Sequence, residues 1–287
     1  MPGVDLHQHL WPPSFIEALS ERSEPPCLVG DRLVTAEGAF PFSAAAHDPE
    51  ARLRLLDRDG IDSAVLSLQP SLGLETLPAA ERDELESAWM DGIAEIVRAS
   101  GGRFHAFAPW RVADGFVGTT VGAPALFDPE RAASLDEAER AGALVFVHPE
   151  GPGAPPEGKP EWWNWTAGYT AQMQAAYLAW LAGGRVRWPT LRVLFAILAG
   201  GAPFQLERLS QRGVDVRSAL DRGVFFDTAT YGRRAIELCV ETFGVGHLAY
   251  GSDTPVVDSR FTLQAVRGFG DAVARMIQIE TPKLLLP

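Results

Sequence analysis

The chain has 287 residues, 46% of them hydrophobic and 22% charged, which supports one sizeable core and argues against disorder. Twenty-five basic against 37 acidic residues leave a formal charge of −12, which excludes nucleic acid and anionic membrane as main partners. Two cysteines, Cys27 and Cys239, make neither a disulfide framework nor a zinc knuckle; with no leader-like start and no long apolar run, a cytoplasmic protein is expected.

Eight short apolar segments recur along the chain: Val4–Leu10, Ser63–Gln69, Phe104–Trp110, Thr119–Leu126, Ala143–Pro149, Leu191–Leu198, Val224–Thr228 and Leu248–Asp253. Most are apolar almost throughout, as parallel strands covered on both faces must be. Helical patterns fill the gaps. Asp48-Pro49-Glu50 starts one with a capping carboxylate and a proline, and Gly60 stops it. Asp128-Pro129-Glu130 repeats the device before Gly142, and residues 79–100, 162–182, 203–212, 231–243 and 259–279 supply the others. Strands alternating with helices in this number predict a single (β/α)8 TIM barrel over residues 1–287. A doubly wound open sheet is the alternative, but no G-x-G-x-x-G follows the first strand. Residues 23–47 read as an irregular insertion after strand one, a lid or edge subdomain, and GPGAPPEGKP at 151–160 as an active-face loop.

His7 and His9 sit two apart on the first strand and therefore share one side of it. That spacing suits two metal-binding imidazoles, and equally two polar residues at a strand end. His148 closes the fifth strand in ALVFVHP, where a core histidine bonded to a carbonyl is the plainer reading; Asp253, in YGSDTP after the eighth, could simply cap a turn. Together they change the weighing. All four fall at the C-terminal ends of strands one, five and eight, the functional face of a barrel whose first and last strands are neighbours. Three imidazoles and one carboxylate suit one divalent ion, Zn2+ first, with Mn2+, Fe2+ or Co2+ as alternatives. Trp11, Trp110, Trp165 and Tyr231 fall near strand ends or in the helix after the fifth strand, and are candidate walls for a planar small-molecule substrate; the bland alternative is hydrophobic plugging. Arg111 is the candidate partner for a substrate carboxylate.

These motifs resemble the amidohydrolase superfamily, within it the branch that includes amino-carboxymuconate-semialdehyde decarboxylase and the resorcylate decarboxylases. VDLHQHLWP resembles its opening D-x-H-x-H, and HDPEARLRLLDRDGIDSAVLS its first helix and second strand. FVHP, GGAPFQLERL, VFFDTATYG, YGSDTP and TPKLLLP follow in the family's order. The resemblance implies a mononuclear metal site on His7, His9, His148 and Asp253. Two departures stand out. Ile197 or Leu198 occupies the slot of the family's histidine after the sixth strand. The only lysines, Lys159 and Lys283, lie off the fourth strand, where binuclear members carry a bridging carboxylated lysine.

Three functions are consistent with this reading. The first is a hydrolase in which metal-bound water attacks a small cyclic or aromatic, carboxylate-bearing substrate, with Asp253 as catalytic proton acceptor. The alternative is a non-oxidative decarboxylase of an aromatic or enoic acid. The third is a metal-free lactonase or a barrel that only binds its ligand. His47 is expected before a helix, within reach of the mouth if residues 23–47 fold over it, while His105 and His247 precede their strands and are expected to be structural. Barrels of this kind often pair as homodimers, though no pairing surface is legible in the sequence.

Overall fold

The structure is a computed structural model that describes residues 3–287. All eight expected strands form: β1 (Val4–Gln8), then, after an insertion, β5 (Ser63–Leu66), β6 (Phe104–Pro109), β7 (Gly118–Gly122), β8 (Leu144–His148), β9 (Arg192–Phe195), β10 (Val224–Asp227) and β11 (Leu248–Ala249). They pair in parallel in the order β1-β5-β6-β7-β8-β9-β10-β11. The last strand then returns to the first. Tyr250 O accepts from Leu6 N at 2.9 Å, Thr254 O from His9 N at 2.7 Å and His7 O from Asp253 N at 2.8 Å. The result is a nearly closed (β/α)8 barrel.

The insertion is not irregular. Residues 27–41 form a three-stranded antiparallel sheet, β2 (Cys27–Val29), β3 (Arg32–Thr35) and β4 (Gly38–Pro41), preceded by a helix at Pro13–Glu21 that the sequence pattern did not reveal. The capping signals worked as read. Asp48 accepts from Ala51 N at 2.6 Å, and Gly60 ends that helix at φ 63°. The expected helix over 259–279 is broken, because Gly268 and Gly270 interrupt it after Arg267; the chain resumes at Asp271 and ends in a helical turn at Thr281–Leu285. Strand β11 is also shorter than expected. It stops at Ala249, so Asp253 stands in the following turn rather than on the strand.

Strand alternation sorts the side chains. Phe107 and Phe146 point into the barrel and stack at 5.4 Å, with the His7 ring 4.9 Å from Phe146. Phe195 and Phe226 point outward, against Tyr177 of the helix Tyr169–Ala179. Each fully buried Phe of this kind contributes roughly 1.5–3 kcal/mol. The inner aromatic layer is thus a dry floor, and the histidines stand above it.

Backbone strain gathers at the C-terminal ends of the strands. Trp110, Ile197, Leu198, Ala199, Thr230 and Asp253 all adopt positive φ between 46° and 66°, a region that costs an L-residue roughly 1–2 kcal/mol each. They follow β6, β9, β10 and β11, so the loops of this face are held in shapes that local preference alone would not choose.

Candidate metal centre

β1 delivers His7 on its inner face, and the chain just beyond it delivers His9; β8 delivers His148 as its last residue. Their ring centroids lie 4.9, 5.2 and 5.3 Å apart. All three rings are buried, and one nitrogen from each falls within 4.8 Å of the others. Asp253 Oδ1 joins them at 3.4 Å from His7 Nε2 and 3.2 Å from His9 Nε2. The left-handed turn at Asp253 (φ 63°) and the bond from its N–H to His7 O bring the carboxylate across the barrel seam.

The outward nitrogens decide what this cluster can hold. His7 Nδ1 lies 2.6 Å from Asp227 Oδ2, His9 Nδ1 3.0 Å from Ser67 O, and His148 Nδ1 2.8 Å from Pro149 O. Each oxygen can only accept, so each Nδ1 carries the proton and each Nε2 turns its lone pair inward. Three lone pairs and a carboxylate oxygen facing one point repel unless a positive charge stands among them. His7 supplies one. Burial opposes a charge on it, but Asp227 and Asp253 overcome that and raise its pKa to about 9. Its Nε2 proton then lies between the two rings, 3.1 Å from His9 Nε2. Burial lowers the pKa of His9 and takes that of His148 well below the usual range, so both present neutral nitrogen. Asp253 is lowered against the effect of its own burial, chiefly by the charge on His7. A divalent cation replaces that single proton with a better match, and every outward nitrogen already has the anchoring partner that metal-bound histidines use.

No protein-family profile matches the chain. It is 26% identical, over 242 residues, to a curated 2-amino-3-carboxymuconate-6-semialdehyde decarboxylase of Dictyostelium discoideum, covering 72% of this chain and 67% of that protein. That similarity agrees with the resemblance carried by the strand-end motifs. The fold is shared with solved structures. The IDCase of Metarhizium anisopliae superposes with a TM-score of 0.82 at 20% identity, over 99% of this chain and 96% of that one. The 5-carboxyvanillate decarboxylase of Sphingomonas paucimobilis gives 0.78 at 17% identity, over 99% and 98%. A dihydroxybenzoic acid decarboxylase from a Polaromonas species, with bound manganese and the inhibitor 2-nitroresorcinol, gives 0.71 at 14% identity, over 99% and 96%.

The remaining residues singled out in the sequence fall in different places. Trp11 is buried beside the centre, its Nε1 donating to Gln69 at 2.8 Å and its ring stacked on His47 at 4.7 Å. His47 packs on that ring and accepts from Trp11 N at 3.1 Å through Nδ1. Trp110 is half-buried, and among the described residues its Nε1 is enclosed without a partner, as is Thr120 Oγ1 on the neighbouring β7. Thr120 registers with Phe146 and so faces the barrel interior. Arg111 is otherwise engaged: its guanidinium lies half-exposed, 2.9 Å from Glu86 of the helix Ala79–Ala99, so its charge is already matched. Trp165 is half-exposed and leans on Phe40 of β4, 6.4 Å away, as part of the packing between insertion and loop. Tyr231 packs at the edge of the core, its carbonyl accepting from Thr262. His105 is at the start of β6 and His247 bonds Val224 O at 2.8 Å, both at the opposite end of the strands.

Sequence reasoning missed Asp227, the anchor of His7. Its signal was an acid ending an apolar strand in VFFDTA, the same signal that exposed Asp253. It also missed Arg52, which is buried and donates to Gln8 Oε1 and to the carbonyls of His9, Thr254 and Ala46. Glu37, buried at the tip of the inserted sheet, gave no signal at all.

Proposed function

We propose that this protein is a decarboxylase of the amidohydrolase kind, acting on a small aromatic or enoic acid with one divalent metal ion held by His7, His9, His148 and Asp253. The convergence of three anchored imidazoles and one carboxylate above a dry aromatic floor carries the reading. The decarboxylases to which the chain is similar support it, among them the structure with bound manganese. When bound, the cation supplies positive charge that draws electrons from an oxygen conjugated to the departing carboxylate. The protein's own part is to orient and to exclude water. Phe107 and Phe146 close the barrel beneath the site, and the unpartnered donors Trp110 Nε1 and Thr120 Oγ1 offer hydrogen bonds to a polar substituent.

A hydrolase, the first of the sequence-based readings, has less support. It requires a base beside the attacking water, and Asp253 is a poor one: its carboxylate is held below the ordinary range and already lies close to two imidazoles. Zn2+ is the ion that three imidazoles and a carboxylate suit first, with Mn2+ the alternative that the manganese-bound neighbour supports.

The test is a panel of aromatic and enoic acids assayed for CO2 release, run beside lactones and amides assayed for acid release, with metal content measured on the same preparation. Release of CO2, abolished in His148→Ala together with bound metal, is expected. Hydrolysis without CO2 sinks the proposal in favour of the first reading.

A further inference from the structure

Removing CO2 leaves a carbon that must receive a proton, and the slot after β9 holds Ile197 and Leu198, which have none to give. A buried acid and a phenol that could do this work meet between the insertion and the helix after β8. Glu37 occupies the turn between β3 and β4 and is only 9% exposed. Its Oε1 lies 2.7 Å from the Tyr169 hydroxyl and its Oε2 3.3 Å from Asn164 Nδ2. Its own N–H is held by Thr35 Oγ1 at 3.1 Å. Among the described residues no arginine, lysine or histidine is seen to pair with it, and the loop after β8 closes so tightly that a Cβ on Gly151 would lie 2.9 Å from its carboxyl oxygen. Burial without a cation raises the pKa of such a carboxyl, favouring the protonated acid.

Tyr169 connects this acid to the mouth. It begins the helix whose next residue, Thr170, sits against the left-handed turn that replaces the missing histidine: a Cβ on Gly200 would meet Thr170 O at 2.4 Å. Gln174 of the same helix donates to Gly200 O at 2.6 Å. Burial and the neighbouring Glu37 carboxyl hold the phenol un-ionised. A phenol that cannot ionise alone can still pass its proton on while accepting another.

We propose that Tyr169 is the proton donor to the substrate carbon and that Glu37 reloads it, the pair replacing the absent histidine. This rests on the decarboxylase reading. In the step, a C–H bond forms at the carbon that bears the carboxylate, using the Tyr169 hydroxyl proton and an electron pair of the conjugated system. The Glu37 proton passes to Tyr169 Oη as this happens. The C–C bond then breaks, its electron pair returns to the conjugated system, and CO2 leaves. Glu37 ends as a carboxylate and takes its next proton from water.

The experiment compares wild type with Glu37→Gln, which keeps the shape and one acceptor but cannot act as an acid, and Tyr169→Phe. Infrared spectra at pH 7 of the metal-loaded proteins are expected to show a protonated-carboxyl band in wild type and Tyr169→Phe that Glu37→Gln lacks. Both variants are expected to keep wild-type metal content and 2-nitroresorcinol affinity. With the acids of the CO2-release panel, including 2,6-dihydroxybenzoate and 5-carboxyvanillate, kcat is expected to fall about 100-fold in each, with KM changed less than about threefold. A merely structural pair would change metal content or inhibitor binding instead, and that result overturns the proposal. So does an unchanged kcat in Glu37→Gln, or a wild-type spectrum with no carboxyl band to lose. A wild type that shows the band but decarboxylates nothing removes the parent reading, and the proposal falls with it.

Discussion

Asp227 binds His7 with one carboxylate oxygen and the backbone with the other: Oδ2 lies 2.6 Å from His7 Nδ1, while Oδ1 accepts from Ile197 N at 2.8 Å and Ala229 N at 3.0 Å. This division makes Asp227→Asn a sharp substitution. The two backbone N–H groups demand an oxygen, so the asparagine must turn its NH2 towards His7. Nδ1 then has to accept, the ring proton moves to Nε2, and the lone pair meant for the metal is lost. Metal affinity is expected to fall about 100-fold with little change in fold, as read by competition against a chromogenic chelator. Unchanged affinity would mean that His7 is not a ligand.

A second route to the same ring runs through Gly251. Its backbone passes so close to His7 and Asp227 that a Cβ there would lie 2.8 Å from His7 Cβ and 3.1 Å from Asp227 Cβ. Neither neighbour can yield, because each Cβ is fixed by its own strand. Gly251→Ala is expected to displace His7 by a few tenths of an ångström and to weaken metal binding about tenfold, while costing roughly 1–3 kcal/mol of stability from overpacking. Chelator competition and urea unfolding separate the two effects.

The barrel was legible because its strands are buried on both faces and its helices are punctuated by capping acids, prolines and glycines. Asp48, Pro49 and Gly60 each act as their chemistry dictates. His7, His9, His148 and Asp253 were legible because rare residue types fell at strand ends. The inserted sheet was not. β3 and β4 are four residues each, only one of the eight fully buried, and lack the apolar alternation that marks a half-buried strand. The turn at Ile197–Ala199 contradicts local preference outright, since a β-branched residue at φ 46° is held there only by tertiary contacts. Glu37 was invisible for the same reason: its burial depends on Asn164 and Tyr169, 127 and 132 residues away.

Arg52, buried on the helix Pro49–Asp59, fastens the barrel seam. Its Nη1 donates to Gln8 Oε1 at 3.0 Å and to His9 O at 3.1 Å, and reaches Thr254 O at 3.4 Å, while Nη2 donates to Ala46 O at 2.8 Å. Burial lowers its pKa to about 10, which still leaves it charged at neutral pH. Arg52→Met fills similar space but leaves these acceptors in the interior without a donor. A loss of about 3 kcal/mol is expected in urea unfolding. Arg52→Lys, a single point charge without the planar fork, is expected to recover less than half of it.

His47 gives the protein a pH dependence whose sign can be worked out. Burial first, then the charge of Arg52, lowers its pKa to about 3 from a usual 6.5. As pH falls below 6.5 the unfolded chain binds a proton that the folded chain refuses, so stability is lost on the acid side and is fully present above 6.5. At about 1.4 kcal/mol per unit, this group alone removes about 2 kcal/mol by pH 5. His47→Phe keeps a ring to stack on Trp11 and Phe42, now 4.7 and 5.5 Å from the imidazole, but removes the acceptor for Trp11 N. The variant is expected to be about 1 kcal/mol less stable than wild type at pH 7.5. It should nevertheless lose about 2 kcal/mol less than wild type on going to pH 5, so that the two stability curves cross. Urea unfolding of both proteins at pH 7.5, 6 and 5 reads the difference directly, and other titrating groups cancel from it. Parallel curves would show that His47 takes up its proton as readily in the folded chain as in the unfolded one, and that the stack on Trp11 does not exclude charge.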